Sequence, residues 1–155
     1  MNKRILVSGV LTICIVLGIT TAVIGGVVIE DRPSPWTSIR QDLQLFQQEI
    51  DPSRGKLAEA QPGADLKKLS LLKSHEKMMG LLQSIRTKVK GLEGTRGQEK
   101  GVLDVCNKMR PKLDSLELLL KNFKAAIKQG DKPSAQGLLN EMGEAVKGLQ
   151  SLIAK

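Results

Sequence analysis

The chain has 155 residues, enough for one domain of ordinary size, and its formal net charge is +8. Its two cysteines and one histidine are too few for a disulfide scaffold, a four-thiolate zinc site or a metal site with several histidine ligands. Only 2% of its residues are aromatic, too few for the stacking surfaces on which proteins bind single-stranded nucleic acid.

The N-terminal residues predict a single transmembrane helix. Residues 5–29 contain no charged side chain. As a helix they would extend about 37 Å, enough to cross a bilayer core of about 30 Å. Lys3 and Arg4 form a basic flank, and no excess of positive charge follows the segment. We therefore expect residues 1–4 on the cytoplasmic side of the inner membrane and residues 30–155 on its periplasmic or extracellular side.

A cleaved signal peptide is the alternative interpretation of this segment, with Thr20 and Ala22 as the small residues of a cleavage site. The apolar run continues past this site to Ile29. It is also longer than the usual apolar region of a signal peptide, about 7–15 residues, which favours an uncleaved anchor. Cys14 lacks the preceding small residue of a lipoprotein site and is interpreted as a small apolar membrane residue.

Three small residues recur every four positions in the predicted membrane helix: Gly18, Ala22 and Gly26. They would share one face of a helix, and small side chains allow a second backbone to approach closely. The sequence therefore predicts a helix-pairing face whose partner is a second copy of the chain or a helix of another protein.

Four series of apolar residues follow the proline-containing linker, residues 30–35, and occupy residues 36–155. Their spacings of three and four place each series on one face of an amphipathic helix. The first two series are Trp36, Ile39, Leu43, Phe46 and Ile50, and then Leu71, His75, Met78, Leu82, Ile85, Val89 and Leu92. The last two are Val102, Cys106, Met109, Leu113, Leu116, Leu120, Phe123 and Ile127, and then Ala135, Leu138, Met142, Ala145, Leu149 and Leu152.

Turn signals separate these series at Pro62-Gly63, between Gly94 and Gly97, and at Gly130. Asp51-Pro52 is expected to interrupt the first series, with a shorter piece containing Leu57 and Ala60 as a possible extension of the same helix. Pro111 is expected to kink the third series. We expect an all-α fold in which a membrane helix precedes an antiparallel four-helix bundle. The alternative is an extended hairpin that completes its core with a second chain.

The single histidine, His75, lies on the second apolar series, with Met78 and Met79 close by. A histidine and a methionine could hold haem inside a bundle, but the chain has no Cys-x-x-Cys-His attachment motif. A packed histidine is the favoured interpretation, and Cys106 is likewise interpreted as a buried thiol. We expect no cofactor and no metal.

Positive charge is concentrated in residues 67–128, which carry 15 lysines and arginines and six acidic residues. Lys121, Lys124 and Lys128 share one face of the third helix. This face is interpreted either as a solvated exterior with a few ion pairs or as a basic contact surface for anionic lipid, an acidic polymer or an acidic protein. Nucleic acid is not an expected partner outside the cytoplasm.

No motif in the chain indicates catalysis. Ser70 and Lys73 have the Ser-x-x-Lys spacing of some acyl enzymes, but the other elements of that motif are missing. We expect a non-enzymatic, membrane-anchored interaction module or accessory subunit of a membrane complex, which contacts the lipid bilayer and a protein partner or second copy. The alternatives are a sensor or ligand-binding bundle, a haem-binding bundle, and a spanin-like envelope protein.

Overall fold

A computed structural model describes residues 22–24, 27–29, 34–61 and 63–154. The chain divides into two compact units, Met1–Ser34 and Pro35–Lys155. In the first unit, strands β1 (Ala22–Ile24) and β2 (Val27–Ile29) pair antiparallel, with Val23 opposite Val28.

The predicted membrane helix over residues 5–29 differs from the structure where the two can be compared. Residues 5–21 and 25–26 lie outside the described residues, whereas β1 and β2 are extended rather than helical. Five of the six strand residues are valine or isoleucine, whose β-branched side chains favour strands, and Gly25-Gly26 is a sequence typical of hairpin turns. Among the described helices, none is both long enough and apolar enough to span a membrane.

The second unit is built from four helices: α1 (Thr37–Glu59), α2 (Leu71–Arg96), α3 (Lys100–Gln129) and α4 (Lys132–Leu152). A short 3-10 helix, Leu66–Leu69, precedes α2. Each helix packs against the next one in sequence, and α4 packs against α1, so the four helices close into a ring. In the second unit, as far as the structure describes it, the prediction of four helices without strands is confirmed, and the core closes within one chain.

Ion pairs across the helices show that neighbours run antiparallel. Lys88, late in α2, pairs with Asp42 near the start of α1 at 2.7 Å, whereas Lys77 pairs with Glu49 at 2.8 Å. Asp42 is only 8% exposed and also accepts a hydrogen bond of 2.7 Å from the Ser84 hydroxyl. A buried carboxylate is tolerated because a cation and a hydroxyl replace its water.

The apolar series predicted for α1, α2 and α3 form the core, and all their members are buried except Leu92, which is partly buried. In α4 the structure corrects the predicted series. Leu138, Ala145 and Leu152 are only partly buried, whereas the residues that follow them, Leu139, Val146 and Ile153, are buried. The chain has apolar residues at both sets of positions, and packing against α1 and α3 selects the set that faces the core.

The two internal prolines do not end their helices. The prediction that Asp51-Pro52 interrupts the first series is wrong, because α1 continues through Pro52 to Glu59. Proline removes one backbone hydrogen bond, but burial of Leu57 stabilises the helix beyond Pro52. Helix α3 likewise runs through Pro111.

The turn between α3 and α4 is the one that the sequence predicts. Gly130 has φ 74°, a left-handed conformation that glycine adopts without strain, and its N–H donates to carbonyls of the last turn of α3. Asp131 then accepts a 3.0 Å hydrogen bond from the Ser134 backbone N–H at the start of α4.

We predict that burial decides the cost of truncating two leucines on the same helix. Leu116→Ala, at a position with no exposure, should lower the free energy of unfolding by about 2–5 kcal/mol. Leu118→Ala, where 59% of the residue is exposed, should change it by no more than about 0.5 kcal/mol. Urea unfolding followed by circular dichroism measures both, and equal losses would contradict the helix orientation.

Candidate interaction surface

One end of the bundle brings together the last turn of α1, the 3-10 helix, the start of α2, the last third of α3 and the start of α4. Lys56 Nζ of α1 donates to Ser70 Oγ at 3.0 Å, and Lys132 Nζ of α4 donates to the Ala60 carbonyl. The 3-10 helix also packs against α1, α2 and α3. We call this region, residues 56–61, 63–77 and 120–134, the lysine end.

The lysine end is strongly basic. It contains nine basic residues, all of them lysines: Lys56, Lys67, Lys68, Lys73, Lys77, Lys121, Lys124, Lys128 and Lys132. Four acids lie within it, Glu59, Asp65, Glu76 and Asp131, and two more just outside it, Glu49 and Glu117, pair with Lys77 and Lys121. The net charge is therefore +5, or +3 with these two partners counted, whereas the whole of residues 35–154, with 20 basic and 14 acidic residues, carries +6.

The predicted basic face of α3 lies within this end. Lys121, Lys124 and Lys128 are all exposed. Lys121 pairs with Glu117 at 2.7 Å, and this hydrogen bond and the lysine charge lower the pKa of the Glu117 carboxyl. Lys124 and Lys128 form no ion pair within the described part of the chain. The charge of this face therefore comes mainly from these last two lysines.

Sequence reasoning did not group the lysines of α3 with Lys67, Lys68 and Lys73, which are also exposed and also lack an ion pair among the described residues. These three residues lie on the 3-10 helix and the first turn of α2. No helical period relates them to α3, because they lie some fifty residues away in the chain. The antiparallel packing of α2 on α3 and the contact of the 3-10 helix with α3 bring the two groups to one end.

Two acids at the lysine end are used to cap helices. Asp65 accepts a 3.1 Å hydrogen bond from the Lys67 N–H at the start of the 3-10 helix. Asp131 accepts from the Ser134 hydroxyl at 2.6 Å and from its N–H, and these bonds lower the pKa of the Asp131 carboxyl. Both carboxylates are hydrogen-bonded to backbone donors, and neither forms an ion pair with a lysine among the described residues.

A cleft of about 400 Å³ separates α1 from α2 at the lysine end. Lys56, Lys73 and Lys77 line it together with Ser70, whose hydroxyl accepts from Lys56. A second cleft, about 330 Å³ between α2 and α3, has both signs of charge and contains the Arg110–Glu93 pair. Within the described residues, no group of three or more histidine, cysteine or acidic side chains is placed to hold a metal ion.

His75 is 5% exposed, in a position between α2 and α3, and it lines neither of these clefts. Met78 is fully buried one turn away, and Met79 is partly buried. The imidazole Nδ1 has no hydrogen-bond partner among the described residues. Burial, and after it the positive charge of Lys124, lowers the pKa of His75, although Glu76 and the Leu120 backbone oppose this effect.

The predicted helix-pairing residues fall largely outside the described part of the chain. Gly18 and Gly26 lie outside the described residues, and Ala22 lies in β1 opposite Ile29.

Comparison of the chain with protein-family models, with curated proteins and with solved structures finds no match. The role of the lysine end is therefore inferred from the charge, burial and contacts of its own residues.

We predict that the bundle loses stability as the pH falls through about 6.5, the ordinary pKa of histidine. Because the folded state lowers the pKa of His75, the unfolded chain takes up a proton first, and the loss is complete only below the folded pKa. His75→Leu should flatten this dependence. Urea midpoints between neutral pH and about pH 5.5, above the acidic pKa values, measure it. Equal slopes in the two chains would contradict the buried neutral imidazole.

We predict that Cys106 reacts slowly with thiol reagents while the bundle is folded. The residue is fully buried, and burial together with Glu93 raises the pKa of its thiol. In a Cys14→Ser chain, labelling should be at least about 100-fold slower than in urea, because it requires opening of the bundle. The matched control combines Cys14→Ser, Cys106→Ser and Asn107→Cys, which places the thiol at the neighbouring exposed position. Equal rates in the two chains would contradict burial of Cys106.

Proposed function

We propose that this chain is a non-enzymatic, membrane-anchored protein whose helical bundle acts outside the cytoplasm as an interaction module or accessory subunit of a membrane complex. The N-terminal segment anchors the chain in the inner membrane with residues 1–4 in the cytoplasm. The bundle contacts a protein partner or a second copy of the chain through its surface.

The observation that carries this proposal is the uncharged segment 5–29, preceded by Lys3 and Arg4. A two-stranded pair leaves unpaired backbone groups on its outer edges, which the bilayer interior does not satisfy. The β1–β2 pairing and a spanning helix therefore exclude each other at residues 22–29. Residues 5–21 alone still provide 17 uncharged residues, about the minimum for a transmembrane helix.

A role in binding rather than catalysis is supported by how the bundle uses its acidic side chains. Carboxylates with little exposure are partners of cations from neighbouring helices, as in the pairs of Asp42 with Lys88 and Glu93 with Arg110. Others cap helices, as Asp131 does. The apolar faces of the four helices are buried in the core. The exterior of the bundle is therefore mostly polar and is available for contact with other molecules.

We predict that two lysines in the middle of the apolar segment release the chain from the membrane. Ile13→Lys with Val16→Lys introduces two charges, each unfavourable by about 2.5–3.5 kcal/mol at the centre of a bilayer. Alkaline carbonate washing of membranes should retain the native chain and release this variant. The matched control, Gln48→Lys with Asn107→Lys, adds the same charge at exposed positions of the bundle and should be retained.

Four results would contradict the proposal. Loss of the native chain in the carbonate wash excludes the anchor, as does a mature N-terminus at Val23. Protection of the bundle from trypsin added to intact spheroplasts excludes the orientation. Recovery of only a monomer, when the chain is purified through its C-terminus in mild detergent, excludes the accessory subunit.

A further inference from the structure

We propose that the lysine end is a binding surface for anionic lipid. The inference names a partner for the interaction module proposed above and in that respect rests on it. Its evidence lies in the bundle alone, in the type, position and surroundings of the basic residues.

The lysine end contains no arginine. The five arginines of residues 35–154 lie outside the lysine end: Arg40, Arg54, Arg86, Arg96 and Arg110. Arg40 donates to the carbonyl of Ile153, just beyond α4, at 2.6 Å, and Arg54 donates to the Leu139 carbonyl of α4 at 3.0 Å. Arg86 bonds both Asp114 and Glu117 at 2.8 Å. Arginine therefore joins the helices, as its several fixed donors favour, whereas the lysine end presents mobile, hydrated point charges.

The composition of the lysine end is unlike that of a protein-binding site. Protein interfaces are enriched in aromatic residues and arginine and depleted in lysine. Of the large exposed apolar side chains of the described bundle, Leu118 lies one turn before Lys121 on α3 and Leu45 lines a cleft together with Lys77, whereas Phe123 within the lysine end is fully buried. A surface with many lysines and few exposed apolar side chains is suited to a partner that offers many negative charges in a plane, as a bilayer with anionic headgroups does.

The number of uncompensated lysines is large enough for this attraction. Five exposed lysines form no ion pair within the described residues: Lys67, Lys68, Lys73, Lys124 and Lys128. Each lysine close to an anionic leaflet strengthens binding about fivefold at physiological salt. Together they provide the charge of the polybasic clusters that hold peripheral proteins on such membranes.

The lysine end is opposite to the point at which the chain enters the bundle. The chain enters the bundle at Thr37, and the 23 residues of α1 place the lysine end about 35 Å from that point along the helix. Near the entry, Arg40 bonds the Ile153 carbonyl just beyond the last residue of α4, which confirms that the entry and the lysine end are opposite ends of one bundle.

Capture of vesicles by the full-length chain tests this inference. The chain is placed in phosphatidylcholine vesicles, and labelled vesicles containing phosphatidylglycerol are added. We expect capture of the labelled vesicles. Capture should be lost near 1 M salt, where the Debye length is about 3 Å and charges farther apart are screened from each other. The triple variant Lys67→Gln, Lys124→Gln and Lys128→Gln should bind about 100-fold more weakly.

The matched control removes the same charge elsewhere. Lys90, Lys100 and Lys112 are exposed and lie outside the lysine end, so their replacement by Gln should change capture about twofold or less. Equal losses in the two triple variants would show that binding follows net charge alone and would overturn the proposal. So would failure of the native chain to bind phosphatidylglycerol vesicles, including the case in which it binds polyglutamate instead.

Failure of the anchor is distinguished from failure of the lipid surface. If the native chain does not remain bound to phosphatidylcholine vesicles, the proposed membrane anchor is contradicted. The same native chain and triple variants are then mixed in solution with phosphatidylglycerol vesicles and followed by flotation. A selective loss in the Lys67, Lys124 and Lys128 variant supports the lysine end, and no difference between the variants overturns it.

Discussion

Enclosure of four apolar stripes in one core is the constraint on which the bundle depends. Each helix has a single stripe of buried residues, and burying it requires neighbours on both sides. The chain meets this requirement alone, since α4 packs back on α1 and closes the ring. Trp36, Phe46 and Phe123 are the aromatic side chains of the core, and leucine, isoleucine and methionine fill most of the interior.

Closure of the core also determines where polar groups are buried. Asp42 lies on the inner edge of α1, and its carboxylate is satisfied by Ser84 and Lys88 of α2. Arg54 lies across α4 at Gly143, where a side chain would overlap its guanidinium group. These contacts join particular pairs of helices, and most of the arginines and several acids take part in them. The lysines that remain are the source of the charge at one end of the bundle.

Much of the fold could be predicted from the pattern of apolar residues. The four helices, the buried series of α1 to α3 and the glycine turn at Gly130 follow from spacing and local backbone preference. The continuation of α1 through Pro52 could not be decided from the sequence, because it depends on burial of Leu57, which outweighs the helix-breaking tendency of proline. The choice of Leu139 over Leu138 in α4 required the positions of α1 and α3. In the first unit, a pattern of uncharged apolar residues suited both a membrane helix and a pair of strands.

The candidate surface divides in the same way. The sequence by itself determined that Lys121, Lys124 and Lys128 share a face, because a helical period relates residues within one helix. The same period brings Glu117 to Lys121, and the structure shows this ion pair. Only the tertiary structure decided that Lys67, Lys68 and Lys73 join the lysines of α3. The physical reason is that the charge of a surface depends on which residues lie close together in space. For residues on different helices, this proximity is determined by the packing of the core.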